Sequence, residues 1–512
     1  MMKGMKKSVG KKSKFLGMVI ALQIIIIITS SIITNFLVMN DFNNNILDKQ
    51  QNDVRQNNDY HTNLQEIEET KNDIENNTTS FRSELAENNF SGKKISQSLS
   101  SFGSWPINVG GELKGGPSAG DIDGDGNEEI VVGTMNGLLR VYETDGTESS
   151  NWIGGKNIGV ALISTPMLAN IDSNNATEEI IIGAANGSVY AFYGNGTSIP
   201  GWPVNCEGAV EETLAVGDIN GDGKNEIIVG SNSSKVYAFY DNGSIIHGWP
   251  KTTGGEVIVS PVLADVDNDG SNDVIVGSTD GKVYAWKGNG DIISNFPKDL
   301  LAPITHPLAV ADINNDGKID IVCPAGRTLY LLSHSGTTIH FWITDSSNSE
   351  WLGPIIVDIN WDREYEIISL STNGEQKSFS FNGETLNEYS SSLGLNIQEE
   401  PIVTDVDNDN NWELLYCSSS NVYAKHFYSS STNEELLSGY LHTNGIIVIQ
   451  GQYLYYTDYF GYILAAEVSS TNVFDWTTTN YDTTNSRYNL SLIHISEPTR
   501  PLYISYAVFC LK

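Results

Sequence analysis

The sequence is poor in cysteine and in basic residues. Four cysteines in 512 residues cannot form a disulfide framework, and Cys323 and Cys417 lie in or at the end of apolar runs, which predicts buried free thiols. Lysine and arginine number 29 against 63 acidic residues, a net charge of −34. Because such a surface repels phosphates, the sequence argues against nucleic-acid binding. The acidity is either a solvated surface or carboxylates gathered to hold cations.

One apolar run, residues 15–39, carries no charge and is long enough to cross a bilayer as a helix. Six lysines lie just before it in residues 1–14, which predicts a cytoplasmic basic segment, a retained transmembrane signal anchor and an extracellular location for the rest of the chain. A cleaved signal peptide, and therefore a secreted protein, is the alternative. Residues 40–103 are polar and predict an extracellular stalk, either a self-associating helix or a flexible spacer.

From residue 104 to about residue 476 the chain repeats with a period of 46–49 residues. Each of seven units has an acidic loop, an apolar strand and a second strand, and an eighth unit keeps the strands without the loop. The loops begin at Asp121, Asn170, Asp218, Asp265, Asp312, Asp358 and Asp405. Units of this size are typical of propeller blades, which must stack to bury both faces. We predict an all-β propeller of seven or eight blades; the count depends on whether a strand at Trp105 pairs with the last unit.

The acidic loops place oxygen-bearing side chains at their first, third, fifth and ninth positions, with a turn residue at the sixth. A tight loop turns alternate side chains toward one centre, and oxygen-only ligands in a flexible loop suit Ca²⁺ better than Mg²⁺. The predicted ligands are Asp121, Asp123, Asp125, Glu129, Asp218, Asn220, Asp222, Glu226, Asp265, Asp267, Asp269, Asp273, Asp312, Asn314, Asp316, Asp320, Asp358, Asn360, Asp362, Glu366, Asp405, Asp407, Asp409 and Glu413. They include 21 of the 63 acidic residues, so up to about six Ca²⁺ ions would explain much of the acidity.

Three loops depart from this pattern. The second has one extra residue and only Asp172 and Glu179 as plausible carboxylates, so no ion is predicted there. The seventh has Asn410 at the glycine position and the sixth has Arg363. Asparagine tolerates a left-handed backbone, whereas arginine does so poorly.

The D-x-D-x-D-G-x-x-E/D loop that runs into I-V-V-G resembles the FG-GAP or VCBS repeat of integrin α-subunit propellers and many microbial surface proteins. The resemblance covers residues 104–476 and implies calcium bound on one face of a propeller, with adhesion or ligand binding as the usual role. The second, sixth and eighth units depart from the family pattern, so the resemblance supports a site there less strongly.

Two other motifs have structural interpretations. Several units close on an aromatic residue and proline, such as Trp202-Pro203 and Trp249-Pro250. They could form a carbohydrate-stacking surface, but their recurrence at one position per unit indicates packing between blades. Gly116–Gly120 fits the G-x-S-x-G pattern of a nucleophile elbow. Ser118 nevertheless falls at a core strand position of the repeat and no helix follows, so we predict no catalytic residue and no enzymatic activity.

The chain ends in two short segments that we exclude from the propeller. Residues 477–489 are interpreted as the start of a further, truncated segment. Residues 490–512 resemble the translation of a sequencing-library adapter.

The sequence thus predicts a single-pass cell-surface propeller that uses calcium to bind an extracellular protein or glycan. A structural surface-layer scaffold is one alternative. A non-catalytic module of a truncated enzyme that acts on polysaccharide is the other.

Overall fold

The computed structural model describes part of the chain, within the second of two compact units, Gly92–Lys512. The described residues are 103–172, 177–397, 399–404, 411–418, 421–427, 434–437, 443–449, 453–458 and 460–467. The predicted segments 1–14, 15–39, 477–489 and 490–512, and all but the last residue of the stalk, lie outside these ranges. Within them, no helix has the length and apolar character needed to span a membrane.

The described residues form short strands and one 3₁₀ helix, Asn387–Tyr389. The first sixteen strands are β1 (Ile107–Asn108), β2 (Ser118–Gly120), β3 (Glu129–Gly133), β4 (Leu138–Glu143), β5 (Lys156–Asn157), β6 (Met167–Ala169), β7 (Glu179–Gly183), β8 (Ser188–Phe192), β9 (Val204–Asn205), β10 (Ala215–Gly217), β11 (Glu226–Ser231), β12 (Lys235–Phe239), β13 (Lys251–Thr252), β14 (Val262–Ala264), β15 (Asp273–Gly277) and β16 (Lys282–Trp286). The others are β17 (Lys298–Asp299), β18 (Ala309–Ala311), β19 (Asp320–Ala325), β20 (Thr328–Leu332), β21 (Thr338–Ile343), β22 (Ile355–Val357), β23 (Glu366–Leu370), β24 (Glu375–Phe379), β25 (Ser391–Ser392), β26 (Ile402–Thr404), β27 (Glu413–Ser418), β28 (Asn421–His426), β29 (Glu434–Leu437), β30 (Thr443–Ile449), β31 (Tyr453–Asp458) and β32 (Tyr462–Glu467).

These strands form eight four-stranded antiparallel sheets, the blades of a propeller. Blades 1 to 7 use four consecutive strands each, β2–β5, β6–β9, β10–β13, β14–β17, β18–β21, β22–β25 and β26–β29. Blade 8 combines β30, β31 and β32 with the amino-terminal strand β1, which pairs with β32 at Ile107 and Ile463. The strand after Trp105 therefore closes the ring, and the blade count is eight.

The first strand of each blade is the innermost. Strand β2 lies next to β6 on one side and β30 on the other, and β10, β14, β18 and β22 continue this series. The second strand is buried along its whole length in blades 1, 2, 4, 5, 6 and 7, as in β3 (EIVVG) and β7 (EIIIG). Because neighbouring blades cover both faces of a sheet, such strands are continuously apolar rather than alternating.

The hydrophobic core lies between the blades. One cluster joins Ile130 and Val132 of blade 1 to Tyr455 and Ile463 of blade 8, and similar clusters join successive pairs around the ring. The described cysteines, Cys206, Cys323 and Cys417, are buried and free, as predicted for the latter two.

Buried tryptophans link four of the blades to the next one. Trp202 is 7% exposed, packs edge-on against Phe239 of the following blade, and donates its indole N–H to the carbonyl of Asp241 at 2.8 Å. Trp105, Trp152 and Trp249 make equivalent indole hydrogen bonds. The interpretation of these residues as blade packing is confirmed.

Candidate functional site

The acidic loops lie at one end of the innermost strands. Each loop begins directly after an innermost strand and ends at the first residue of the second strand, as Asp121 follows β2 and Glu129 opens β3. Because the innermost strands of the blades occupy equivalent positions, the loops share one face of the propeller. Of the predicted ligands, Asp405, Asp407 and Asp409 lie outside the described residues, while Glu413 opens β27.

The first aspartate of each described loop binds the backbone of the turn. Asp121 accepts the N–H groups of Gly124 at 2.7 Å and Gly126 at 3.0 Å, one on each carboxylate oxygen. Equivalent bonds to the residue at the sixth loop position, 2.7–2.8 Å long, are made by Asp218, Asp265, Asp312 and Asp358. This aspartate therefore sets the loop's conformation as well as offering oxygens at its centre.

Two residues adopt a left-handed backbone in each of the five loops whose turns the structure describes, the first and the third to sixth. In the first loop they are Gly124 (φ +81°) and Gly126 (φ +88°), at the fourth and sixth positions. The sixth position was predicted from the sequence, whereas the fourth, which is occupied by Gly, Asn or Trp, was not. In the sixth loop Trp361 (φ +61°) and Arg363 (φ +74°) adopt the same conformation, so the unfavourable side chains strain that loop without changing its path.

The ninth position places a buried carboxylate under each loop. Glu129 is fully buried, and its Oε2 accepts the N–H of Ile122 at 2.9 Å. Its Oε1 is buried and has no hydrogen-bond partner among the described residues, and the same holds for Oδ2 of Asp320. In the third loop the corresponding oxygen has a partner within the loop, because Asn220 Nδ2 donates to Oε1 of Glu226 at 2.9 Å.

The carboxylate oxygens converge closely enough to bind a metal ion. One oxygen from each of Asp121, Asp123 and Glu129 lies within 4.8 Å of the others, and the same is true of Asp265, Asp267 and Asp269. A buried oxygen without a partner beside two further carboxylates is the environment that a cation would complete. These acidic clusters thus have the donor set for a metal ion.

Without a cation the ninth-position carboxyls favour their neutral form. Burial raises the pKa of Glu129 and Glu366 to about 8, and the negative charges of nearby aspartates contribute to this rise. Burial likewise raises the pKa of Glu226, Asp273 and Asp320 to about 7. A divalent cation would reverse this shift because it favours the charged form.

The second loop is more similar to the others than its sequence indicates. Glu179 is fully buried, its Oε2 accepts the N–H of Ile171 at 2.8 Å, and its Oε1 has no partner among the described residues. Burial raises its pKa to about 7. Residues 173–176 of this loop lie outside the described ranges. The inserted residue thus leaves the ninth-position carboxylate in its usual place.

Charged residues at or just after the end of the third strand also lie beside the loops, and the loop motif did not predict them. Lys287 Nζ lies 2.5 Å from Asp267 Oδ2 and 2.7 Å from Asp269 Oδ2. In blade 7, His426 Nδ1 lies 2.7 Å from Oε1 of Glu413. Neither residue belongs to the loop motif, and only the pairing of the strands brings them to it.

A second group of charges, the inter-blade cluster, lies at the opposite end of the innermost strands. It consists of Lys114, Glu211, Glu212, His306, Glu399 and Glu400, from blades 1, 3, 5 and 7. Lys114 Nζ is 2.5 Å from Glu211 Oε2, and His306 Nδ1 is 2.9 Å from Glu400 Oε1. Burial and then the charge of Glu400 raise the pKa of Glu399 to about 8. Glu212 is exposed to solvent, so water reaches the cluster.

Ser118 of the G-x-S-x-G pattern lies in the core. It is 1% exposed on β2, opposite Val131 of β3, and its hydroxyl donates to the carbonyl of Pro166 at 2.5 Å. The structure thus gives this serine the strand position that the repeats predicted.

Comparisons with known proteins match the repeats and the fold. The family model described as FG-GAP-like repeat matches residues 218–276 and 265–323. No curated protein matches the chain. The yeast Sqt1 structure, from Saccharomyces cerevisiae, is similar over 71% of this chain and 97% of its own, with 10% identity and a TM-score of 0.54.

Two bacterial structures are similar at a lower score. The V. cholerae biofilm matrix protein Bap1 is 11% identical over 76% of this chain and 94% of its own, with a TM-score of 0.49. BamB from Moraxella catarrhalis is 16% identical over 70% of this chain and 97% of its own, also at 0.49. At these identities the likeness to Sqt1 supports the propeller fold alone.

Proposed function

We propose that this FG-GAP β-propeller is a calcium-binding module that binds an extracellular protein or glycan through the face that carries its acidic loops. An FG-GAP propeller suggests a protein-binding or adhesion-type module. The observation that carries the calcium assignment is the buried oxygen of Glu129 that has no partner among the described residues and lies beside carboxylate oxygens of Asp121 and Asp123.

Calcium is the cation that these loops fit best. Their donors are all oxygens, from aspartate, asparagine and glutamate side chains, without histidine or cysteine in the predicted ligand set. Ca²⁺ accepts six to eight such ligands in variable geometry, whereas Mg²⁺ requires a stricter octahedron and keeps its water. In each filled loop the residues at the first, third, fifth and ninth positions would hold the ion.

Contacts between loops would spread the effect of calcium over the whole face. Asn272 Nδ2 donates to the carbonyl of Asp218 in the preceding loop at 3.1 Å, and Asn225 Nδ2 donates to that of Asn170 at 2.8 Å. Gly288 packs so closely on the carbonyl of Ile219 that a Cβ atom there would lie 1.7 Å from the oxygen. An ion that fixes one loop therefore also fixes the surface on which the next blade rests.

We place the module on the cell surface, held by residues 15–39, because the basic residues before this run favour the cytoplasmic side. The chain then presents its propeller outside the cell, where free calcium is abundant enough for sites of modest affinity. A purely structural scaffold would bind calcium in the same way but would have no specific ligand.

Binding to arrays tests the proposed role. The full chain, labelled and held in mild detergent, is applied to defined glycans and purified extracellular proteins with calcium and with a chelator. We expect a restricted set of spots that disappears with the chelator and weakens in Asp121→Ala. The matched control is Asp291→Asn, an exposed acidic residue outside the loops. Calcium-dependent stability without any array binding would favour the scaffold, and binding that is indifferent to calcium would contradict the proposal.

A further inference from the structure

In each blade that carries an acidic loop, one position at the end of the third strand faces that loop. Strands β3 and β4 pair so that Glu143 lies opposite Glu129, the ninth loop residue. In blade 4, Val274 pairs with Trp286, which places the next residue, Lys287, opposite Asp273. In the remaining blades that carry a loop, the corresponding residues are Tyr193, Tyr240, Ser333, Ser380 and His426. We call this the facing position; its residues range from acidic through neutral to basic.

In blade 4 the facing residue places its ammonium group among the loop carboxylates. Lys287 Nζ contacts Asp267 and Asp269, two of the three residues whose oxygens converge in this loop. These two hydrogen bonds raise the pKa of Lys287, so it stays charged at neutral pH. The lysine thus occupies the region in which a divalent cation would contact the same oxygens.

In blade 1 the facing residue has the opposite charge. Glu143 pairs directly with Glu129, and burial together with the charges of Asp123 and Asp125 raises its pKa. In its ionised form it adds a negative charge beside the loop. The first and fourth loops otherwise match, because each has four carboxylates at the first, third, fifth and ninth positions.

We propose that the facing residue sets the order in which the loops take up calcium. The first loop, with Glu143, binds most tightly, the loops with a neutral facing residue follow, and the fourth binds last, after calcium displaces Lys287. This inference rests on the proposed calcium binding and adds to it a residue outside the loop motif. Two unit charges a few ångströms apart near a protein surface interact strongly enough to change an affinity by about tenfold or more.

The experiment is calorimetric titration of calcium into the chelator-treated full chain and its Lys287→Ser and Glu143→Ser variants. Serine is the residue that blades 5 and 6 carry at this position. We expect one weak site to tighten by about tenfold in Lys287→Ser and the tightest site to weaken by about tenfold in Glu143→Ser. Lys282→Ser is the control, since Lys282 is on the same strand but contacts Asp280, outside the loops. It should bind as the wild type does.

Thermal unfolding gives a second measurement. Lys287→Ser should lower the melting temperature in chelator, because the loop loses its internal cation, but not in saturating calcium, where the ion replaces it. Lys287→Gln repeats the test should the serine variant fail to fold. Calcium binding with unchanged affinities in both variants would overturn this inference alone. No calcium binding in any of these proteins would overturn the proposed function, and this inference with it.

Discussion

The two ends of the innermost strands both collect carboxylates, but they neutralise them differently. At one end each acidic loop is local, with hydrogen bonds between residues two to seven positions apart, such as Ile122 to Glu129. At the other end the inter-blade cluster joins residues 97 and 94 positions apart, Lys114 to Glu211 and His306 to Glu400. The cluster therefore includes its own basic side chains, whereas most of the described loops have none beside their carboxylates.

This difference explains why acidity alone does not identify a metal site. Lys114 and, when protonated, His306 supply positive charge to the inter-blade cluster across alternate blades, so its stability should depend on pH rather than on calcium. Among the described residues, the first and fifth loops leave a buried oxygen of Glu129 and of Asp320 without a partner, an environment that a cation from solution would complete. Variants that remove the dependence of stability on calcium at the loops, or its dependence on pH at the inter-blade cluster, test this comparison.

The largest effect is expected from Asp121→Ala at the loop end. The variant loses a proposed calcium ligand and the acceptor of the Gly124 and Gly126 N–H groups. At calcium a hundredfold above the dissociation constant of the site, the free energy of unfolding should fall by about 4 kcal/mol, because the lost ion and the weakened turn both contribute. With chelator the loss should be about 1 kcal/mol, because only the turn is affected. Denaturant unfolding measures both, and an equal loss under the two conditions would contradict a calcium site in this loop.

A smaller effect, dependent on pH, is expected from Glu399→Gln at the cluster end. Burial and the charges of Glu400 and Glu212 raise the pKa of Glu399 to about 8. The fold therefore favours the protonated acid, and the wild type loses stability as the pH rises from about 4.5 to about 8. Glutamine does not ionise, so the variant should match the wild type near pH 4 and exceed it by about 2 kcal/mol near pH 9.

The pH series should be run both in millimolar calcium and in chelator, with the variant compared with the wild type at each pH, because the loop carboxylates also titrate. The comparison then isolates Glu399, because the loops contribute equally to both proteins. A gain that is the same at every pH, or one that vanishes when calcium is removed, would show that the two ends are not independent.

The smallest effect is expected from Arg363→Gly in the sixth loop. Arg363 holds φ +74° while its N–H donates to Asp358 at 2.8 Å, a bond that glycine preserves. Removing the strain of a left-handed arginine should stabilise the fold by about 1 kcal/mol. Gly270→Ala, at the equivalent position of the fourth loop with φ +92°, should have the opposite sign. Thermal melts of the two variants measure this, and stabilisation of both would mean that the backbone conformation is not the cause.

The acidic loops, whose contacts are mostly local, were predictable from the sequence, whereas the inter-blade cluster was not. The first, third, fifth, sixth and ninth loop positions recur every 46–49 residues, so the repeats reveal them. The left-handed fourth position was missed because Gly, Asn and Trp share no obvious chemistry. Lys287 and Glu143 were missed because the residue type at the facing position differs from blade to blade. Only the pairing of the strands brings this position next to the loop.

The inter-blade cluster and the number of blades could be determined only from the closed ring of the structure. Lys114, Glu212, His306 and Glu399 differ in type and come from alternate blades, so no period in the sequence connects them. The closing strand near Trp105 was anticipated, but β1 is only two residues long, so its pairing with β32 was needed to decide the blade count. Both features depend on contacts between residues far apart in the chain, which local patterns do not encode.

The most direct test of the calcium-binding loops is thermal unfolding of the full chain at neutral pH as calcium is titrated. Ions that bind only the folded state must raise the melting temperature with concentration. Several filled loops should give a rise of about 10 °C or more, with a smaller response to magnesium at equal concentration. A melting temperature that does not change from chelator to millimolar calcium would contradict the account, and the acidic face would then be only a solvated surface.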